Sequence, residues 1–266
     1  MVKQRLSSRP SLRMERSLLR DGVTYLACAD EVGRGALSGP ATVGIVVITA
    51  ETKTAPQGVR DSKLLTPEAR TRLAPKVRKW ALSHSVGHAS PDEIDEFGII
   101  AALRLAGHRA LAGLAVVPDL VLLDGNHDYL SHPQQGALFG GPSGLGAVIP
   151  PVVTAIKADL RCAAVAAASI LAKTSRDALM VELAESHPGY GWHENKGYAS
   201  PEHIEALRVL GPCAAHRRSW SLPGTGLEAD EDAANGVVQR LERDEAYDFG
   251  TPRVIRQDPL IVCEES

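Results

Sequence analysis

The chain has 266 residues, 44% of them hydrophobic, which is enough to bury one large core with or without appendages. Its net charge of -3 does not by itself mark a nucleic-acid binder, but the near-neutral sum hides a basic start and an acidic end. The four cysteines (Cys28, Cys162, Cys213, Cys263) form no paired metal spacing and read as thiols in a reducing compartment. No apolar signal-peptide core follows the basic N-terminus, and the longest apolar stretch, 162–172, is too short and alanine-rich to span a bilayer. The expectation is a cytoplasmic protein with no membrane contact.

The first twenty residues carry Lys3, Arg5, Arg9, Arg13, Arg16 and Arg20 against the single Glu15. Taken together, residues 1–22 read as a loosely ordered basic arm with a short helix near 13–20. Two strands follow, at 24–30 and 41–48. The turn between them starts with paired acids, Asp30-Glu31-Val32-Gly33-Arg34-Gly35, and Pro40 precedes the second strand. Asp61-Ser62-Lys63 lies in a loop. Thr66 then caps a helix with Pro67 at its first position, running to about residue 82. A third strand is expected at 83–89. Ser90-Pro91-Asp92-Glu93 has capping-box spacing and opens a helical stretch with Ile94, Ile99, Leu103, Ala106 and Leu111 roughly on one face.

Leu120-Val121-Leu122-Leu123 is a continuous apolar run of the kind covered on both faces, and it ends at Asp124-Gly125. Residues 139–146 form a glycine-rich loop. A short strand at 152–156 leads to Lys157-Ala158-Asp159, and one long helix is expected from 160 to about 185, with small residues through its middle. Short helices and loops then carry Asn195-Lys196-Gly197-Tyr198 and His216-Arg217-Arg218-Ser219. From about 225 the chain turns acidic. Strands followed by alternating helices and strands predict a mixed sheet with helices packed on it.

Three of the strand-like runs end in or near an acid: Asp30, Asp124 and Asp159. With Glu31 they would make four clustered carboxylates if those strand ends converge. Such a cluster calls for compensation, because neighbouring like charges raise one another's pKa. Two hard divalent cations, Mg²⁺ or Mn²⁺, would supply it and would suit phosphodiester displacement. Each acid also has an ordinary reading: Asp124-Gly125 as a turn pair, Asp159 as a helix cap, Asp30-Glu31 as solvated turn acids.

The same segments resemble the ribonuclease HII family, the bacterial type 2 ribonucleases H. The likeness spans roughly residues 23–224. It rests on residues 30–40, Asp61-Ser62-Lys63, Leu123-Asp124-Gly125-Asn126, residues 166–173, Asn195-Lys196-Gly197-Tyr198 and His216-Arg217-Arg218-Ser219, in the family's order. The resemblance implies an α/β, ribonuclease H-like mixed five-stranded sheet flanked by helices, with a helical C-terminal subdomain. The catalytic domain would occupy 23–224, between the basic arm and an acidic tail at 225–266.

It also implies metal-dependent cleavage of RNA in RNA–DNA hybrids and at single ribonucleotides in duplex DNA. The cut would fall 5′ of the ribonucleotide and leave 3′-hydroxyl and 5′-phosphate ends. Asp30, Glu31, Asp124 and Asp159 would be the catalytic and metal-binding acids for two Mg²⁺ or Mn²⁺ ions. Gly33, Arg34 and Gly35 would read the 2′-hydroxyl, Tyr198 would stack on the neighbouring deoxyribose, and Ser62, Lys63, His216 and the arginines after it would hold phosphates. The family implies a monomer.

Departures are small: Cys28-Ala29 where glycine and isoleucine are frequent, Ala36 for proline, Ala158 for glycine. Three rival functions stand beside this one: a dinucleotide-binding enzyme, another two-metal nuclease of the same fold, and a non-catalytic nucleic-acid binder, which would gain little from a negative cluster facing phosphate. Against the first, Pro40 and a β-branched strand follow the glycines where a phosphate-binding helix should open.

Overall fold

The computed structural model describes residues 9–131 and 149–225. The glycine loop at 139–146, the first eight residues of the arm and the acidic tail from 226 lie outside the described residues. Five strands form one sheet: β1 (Leu26–Val32), β2 (Ala41–Ile48), β3 (Ser83–Ala89), β4 (Leu120–Asp124) and β5 (Val152–Ala155). Their spatial order is β3-β2-β1-β4-β5. The first three run antiparallel, while β4 and β5 run parallel to β1. The mixed sheet flanked by helices is therefore as expected.

β1 is central, and its leading residues Leu26 to Ala29 are wholly buried. Alternation sends Leu26 and Cys28 to one face of the sheet, Ala27 and Ala29 to the other. The first face packs on α1 (Arg13–Arg20), α2 (Pro67–Trp80) and α6 (Ala163–Ser186). The second packs on α3 (Pro91–Phe97) and α4 (Ile99–Ala112). A smaller core of Met180, Tyr190 and Trp192 joins the far half of α6 to α7 (Trp192–Asn195) and α8 (Pro201–Leu210). This is the helical C-terminal subdomain. No described helix is long and apolar enough to cross a membrane.

The two predicted caps form as read: Thr66 accepts from the Ala69 N–H, and Ser90 and Glu93 make a reciprocal capping box. Four local expectations need correction. β1 extends to Val32, so Asp30 and Glu31 belong to the strand rather than to the turn after it. The helical stretch from residue 91 is two helices, broken at Gly98, whose φ of 77° lies in the left-handed region.

The long helix does not start at 160. A single turn, α5 (Ala158–Arg161), is separated from α6 by Cys162 in extended conformation. The break is held from outside, because the Ser11 N–H donates to the Arg161 carbonyl (2.9 Å) and the Ala163 N–H to the Ser11 carbonyl (3.1 Å). The basic arm, finally, is not loose where it is described. Leu12 and Leu19 are buried in the main core, and α1 is an integral element.

Glu15 explains that docking. It is completely buried, and its Oε1 accepts the Ala164 N–H (2.9 Å), capping a 24-residue helix that has no side-chain cap of its own. Burial raises its pKa to about 6, against the pull of the Ala164 bond. Glu15→Ala leaves a buried N–H unpaired, and should destabilise the fold by about 1–3 kcal/mol. In a domain of this size each kcal/mol lowers Tm by about 2–4 °C, so a calorimetric scan checks it.

Candidate active site

Parallel pairing decides which acids meet. The last registered pair of β1 and β4 is Ala29 with Leu123, so Asp30 and Asp124 follow side by side at the same end of the sheet. Asp124 in turn pairs with Ala155 of β5. Its Oδ1 accepts the Ala158 N–H (2.6 Å) and the Asp159 N–H (3.4 Å), so it caps α5 and fixes Asp159 beside itself. Asp159 is thus not a cap but a member of the capped turn.

Strand alternation separates the two neighbouring acids of β1. Asp30 lies on the α6 side, in hydrogen-bonding contact with Ser169. Glu31 lies on the opposite side, where its Oε2 accepts the Tyr129 hydroxyl (3.3 Å).

The electrostatics agree with this gathering. Burial raises the Asp30 pKa well above the ordinary range, and Asp124, Glu31 and Asp159 add to it. Burial also raises Asp159, to about 6, with Asp124 and Asp61 contributing. Asp124 and Glu31 are raised by burial too, each partly relieved, Asp124 by the Ala158 bond and Glu31 by Arg34. Burial opposes the charge of Lys63, but Asp30, Asp61, Asp159 and Asp124 outweigh it and raise its pKa. Arg34 is half-exposed and reaches only 4.0 Å from Glu31.

All four acids offer the oxygen donors that hard divalent ions take, and their mutual repulsion is what a cation would relieve. Among the described residues, no group of three or more His, Cys, Asp or Glu is already arranged to hold a metal ion.

The glycine turn beside the acids is clamped by two buried arginines. Arg217 donates to the carbonyls of Arg34 (2.8 Å), Gly33 and Gly39, and stacks on Trp220. Arg176, on α6, donates to the carbonyls of Pro40 (2.8 Å), Ser38 (3.0 Å) and Lys196 (2.9 Å). Burial, with Arg176 adding to it, pushes the Arg217 pKa down to about 9.

Gly33 is required here, since its φ is 82° and a Cβ would meet the Arg176 side chain at 2.1 Å. Gly35 faces open space. The Leu37 N–H donates to the Gly197 carbonyl (2.8 Å), which ties the segment before Tyr198 to the same turn. Tyr198 is half-buried, with Lys173 and Arg176 over its ring at 5.4 and 5.2 Å.

The fold, the four acids and the clamped turn can be set against known proteins. A family model described as ribonuclease HII matches residues 27–222. The ribonuclease HII of Streptomyces avermitilis is 45% identical over 246 residues, covering 90% of this chain and 98% of that protein. That of Nitrosococcus oceani is 43% identical over 204 residues, 77% of this chain and 92% of that protein. The chain belongs to the ribonuclease HII family.

Ribonuclease H2 from Pyrococcus horikoshii superposes with a TM-score of 0.58 at 25% identity, over 83% of this chain and 100% of that one. Ribonuclease HIII (Bst-RNase HIII), solved with Mn²⁺, shares the fold at 20% identity and TM-score 0.52, over 86% of this chain and 74% of its own. As a ribonuclease HII, the chain is an endoribonuclease of the ribonuclease H type, acting on RNA in RNA–DNA hybrids.

Three of the expected phosphate ligands of this ribonuclease HII turn inward instead. His216 is fully buried. Its Nδ1 accepts the Cys213 N–H (3.1 Å), and its Nε2 lies 3.1 Å from His203 Nε2. Burial, reinforced by His203, lowers its pKa to about 4, so it is a neutral packed ring. Arg217 is fully buried on the turn, as described, and is not free for phosphate. Ser62 is buried against Ser169, hydroxyl to hydroxyl at 2.7 Å, whereas Lys63 is exposed next to the acids.

Ser169, Tyr129 and Arg176 were missed as site residues. Only their fold neighbours reveal them, although Ser169 sits in the small-residue run already singled out.

Two buried and two half-buried carboxylates without a cation should destabilise the metal-free protein. For Asp159 the folded pKa of about 6 lies above the ordinary 3.8, so stability falls as pH rises through that window. Asp30→Asn removes one charge, and in chelator at pH 8 it should melt higher than wild type, by about 2–4 °C for each kcal/mol relieved. The difference should vanish near pH 4. Thermal melts across pH check both.

Proposed function

We propose that this chain cuts the RNA strand of RNA–DNA hybrids and also single ribonucleotides embedded in duplex DNA, on the 5′ side, leaving 3′-hydroxyl and 5′-phosphate ends. The observation that carries the reading is the pairing of one acidic sheet edge with a glycine turn held rigid beside it. Asp30, Glu31, Asp124 and Asp159 are the residues to hold two Mg²⁺ or Mn²⁺ ions; the donor chemistry and the uncompensated charge both fit. When bound, such ions supply an activated water and neutralise the departing oxygen.

The chain's own side chains supply the rest. Lys63 and Arg34, exposed at the rim of the acids, would draw in the phosphate backbone. The backbone at Gly33 to Gly35, shaped by Arg176 and Arg217, would approach the 2′-hydroxyl, the one group that separates RNA from DNA at a single site. Tyr198 would lie against the adjoining deoxyribose, where a further hydroxyl would crowd it. Ser62 and His216 act as positioning groups, Ser62 for the Lys63 loop and His216 for the segment carrying Arg217. The protein works as a cytoplasmic monomer in this reading.

A labelled duplex holding one ribonucleotide should be cut 5′ of that residue with Mg²⁺ or Mn²⁺ and left intact with chelator, as resolved on a sequencing gel. An uncut duplex with metal present would refute the proposal; cutting of a branched DNA junction instead would favour another nuclease of this fold. Gly35→Ala separates substrate reading from folding. Its Cβ meets nothing within 4 Å, so Tm should stay put. Cleavage of the single-ribonucleotide duplex should nonetheless fall by about tenfold or more, as removal of about 1.4 kcal/mol of transition-state stabilisation requires. Unchanged kcat/KM would take Gly35 out of the site.

A further inference from the structure

We propose that the hollow between α1 and α5 is a second phosphate site, which takes the backbone of the same duplex beyond the scissile bond; the proposal rests on the function inferred above. The hollow measures about 720 Å³, and its lining includes Arg9, Arg13, Arg20 and Arg161, with Ser11 and Ser17. On α1, residues 13, 17 and 20 fall at i, i+4 and i+7, so they share one face. The opposite face is spent on the core through Leu12, Glu15 and Leu19.

The charge of this hollow is not neutralised from within. Among the described residues, Arg9, Arg13, Arg20 and Arg161 make no ion pair. Glu15, the acid carried by α1 itself, points inward to the Ala164 N–H. Asp21, just after the helix, is exposed and is the nearest acid in the chain to Arg20. Guanidinium forks match phosphate oxygens. Several of them spread over an open hollow suit a polyanion better than one small ion. Arg13 and Arg20 are separated by about 10 Å along the helix, close to three nucleotide rises of a duplex strand.

Position ties the hollow to the acids. Arg161 shares the single turn of α5 with Asp159, two residues away, and its Nη2 is fixed on the Ile156 carbonyl (2.7 Å). The backbone of Ser11 is bonded on both sides of Cys162, so the floor of the hollow is anchored to the same segment that carries Asp159. A duplex that lies over the acids and continues past α5 would meet this basic surface. The total charge of -3 conceals it, since most of the carboxylates that balance the sum lie outside α1 and α5.

The test uses the full chain and the double variant Arg13→Ala/Arg20→Ala, with Arg161 left intact because it braces α5. Two labelled duplexes carry one ribonucleotide each, one short and one extended by ten base pairs on both sides. Anisotropy titrations in chelator over a salt series give Kd, and cleavage at saturation with Mg²⁺ gives kcat. The variant should bind the extended duplex about tenfold more weakly. The slope of log Kd against log salt should shrink by about 1.8, because each phosphate that is no longer neutralised accounts for about 0.9. Binding of the short duplex, kcat and Tm should match wild type.

Equal affinity and equal slope on the extended duplex would overturn the proposal. So would an equal weakening on both duplexes, which would mean a disturbed fold or catalytic centre. If the wild type neither binds nor cuts either duplex, the proposed function fails first and takes this proposal with it. Wild-type cutting with an unaffected variant sinks the hollow alone.

Discussion

A Cβ on Gly44 would sit 2.6 Å from the Ala168 carbonyl oxygen, so α6 and β2 lie as near as two backbones can. The alanine run of α6 is what permits that approach. From this close packing the site is laid out. Ser169 follows Ala168 and meets both Asp30 and Ser62. Two turns further on, Arg176 reaches the carbonyls that shape the glycine turn. The helix is thus a ruler with the acids at one mark and the turn at another. Its start is held by Glu15, which explains why a helix from the basic end of the chain belongs to the domain.

Charge is arranged to stay unspent where chemistry needs it. The buried guanidinium groups of Arg176 and Arg217 hydrogen-bond to main-chain carbonyls and leave the clustered acids alone. Among the described residues, the carboxylates have Lys63 and a distant Arg34 as positive neighbours, and all four are raised in pKa by burial. An arginine paired directly with Asp30 would stabilise the empty protein and compete with any cation. The fold carries this uncompensated charge at a cost in stability, the familiar trade between stability and a working site.

The subdomain built on α7 and α8 supports the same turn from the other side. Trp192 Nε1 donates to His203 Nε2 (3.2 Å), and His203 Nδ1 meets the Tyr198 carbonyl (2.9 Å). With His216 donating from Nε2, every polar atom of the two rings is satisfied in the neutral form, a tautomer set by the network. The backbone at Tyr198 is therefore held by a buried polar cluster, while its ring lies beneath Lys173 and Arg176. His203 and His216, of a residue type with a plain chemical reputation, are packed inside this cluster.

Local signals in the sequence determined a good deal: the strand core from Leu26 to Ala29, the caps at Thr66 and Ser90, and the acids at the ends of successive apolar runs. Each depends on residues within a few positions, where propensity and alternation act directly. The tertiary structure alone decided which polar side chains face inward. His216, Arg217 and Ser62 read as surface ligands in a basic or polar string, yet each finds its partners across the fold, at Cys213 and His203, Gly33 to Gly39, and Ser169. The break at Cys162 likewise needs Ser11, some 150 residues earlier in the chain, to take over its backbone bonds. Burial is a property of neighbours brought together by the sheet order, and that order is written in no single stretch of the chain.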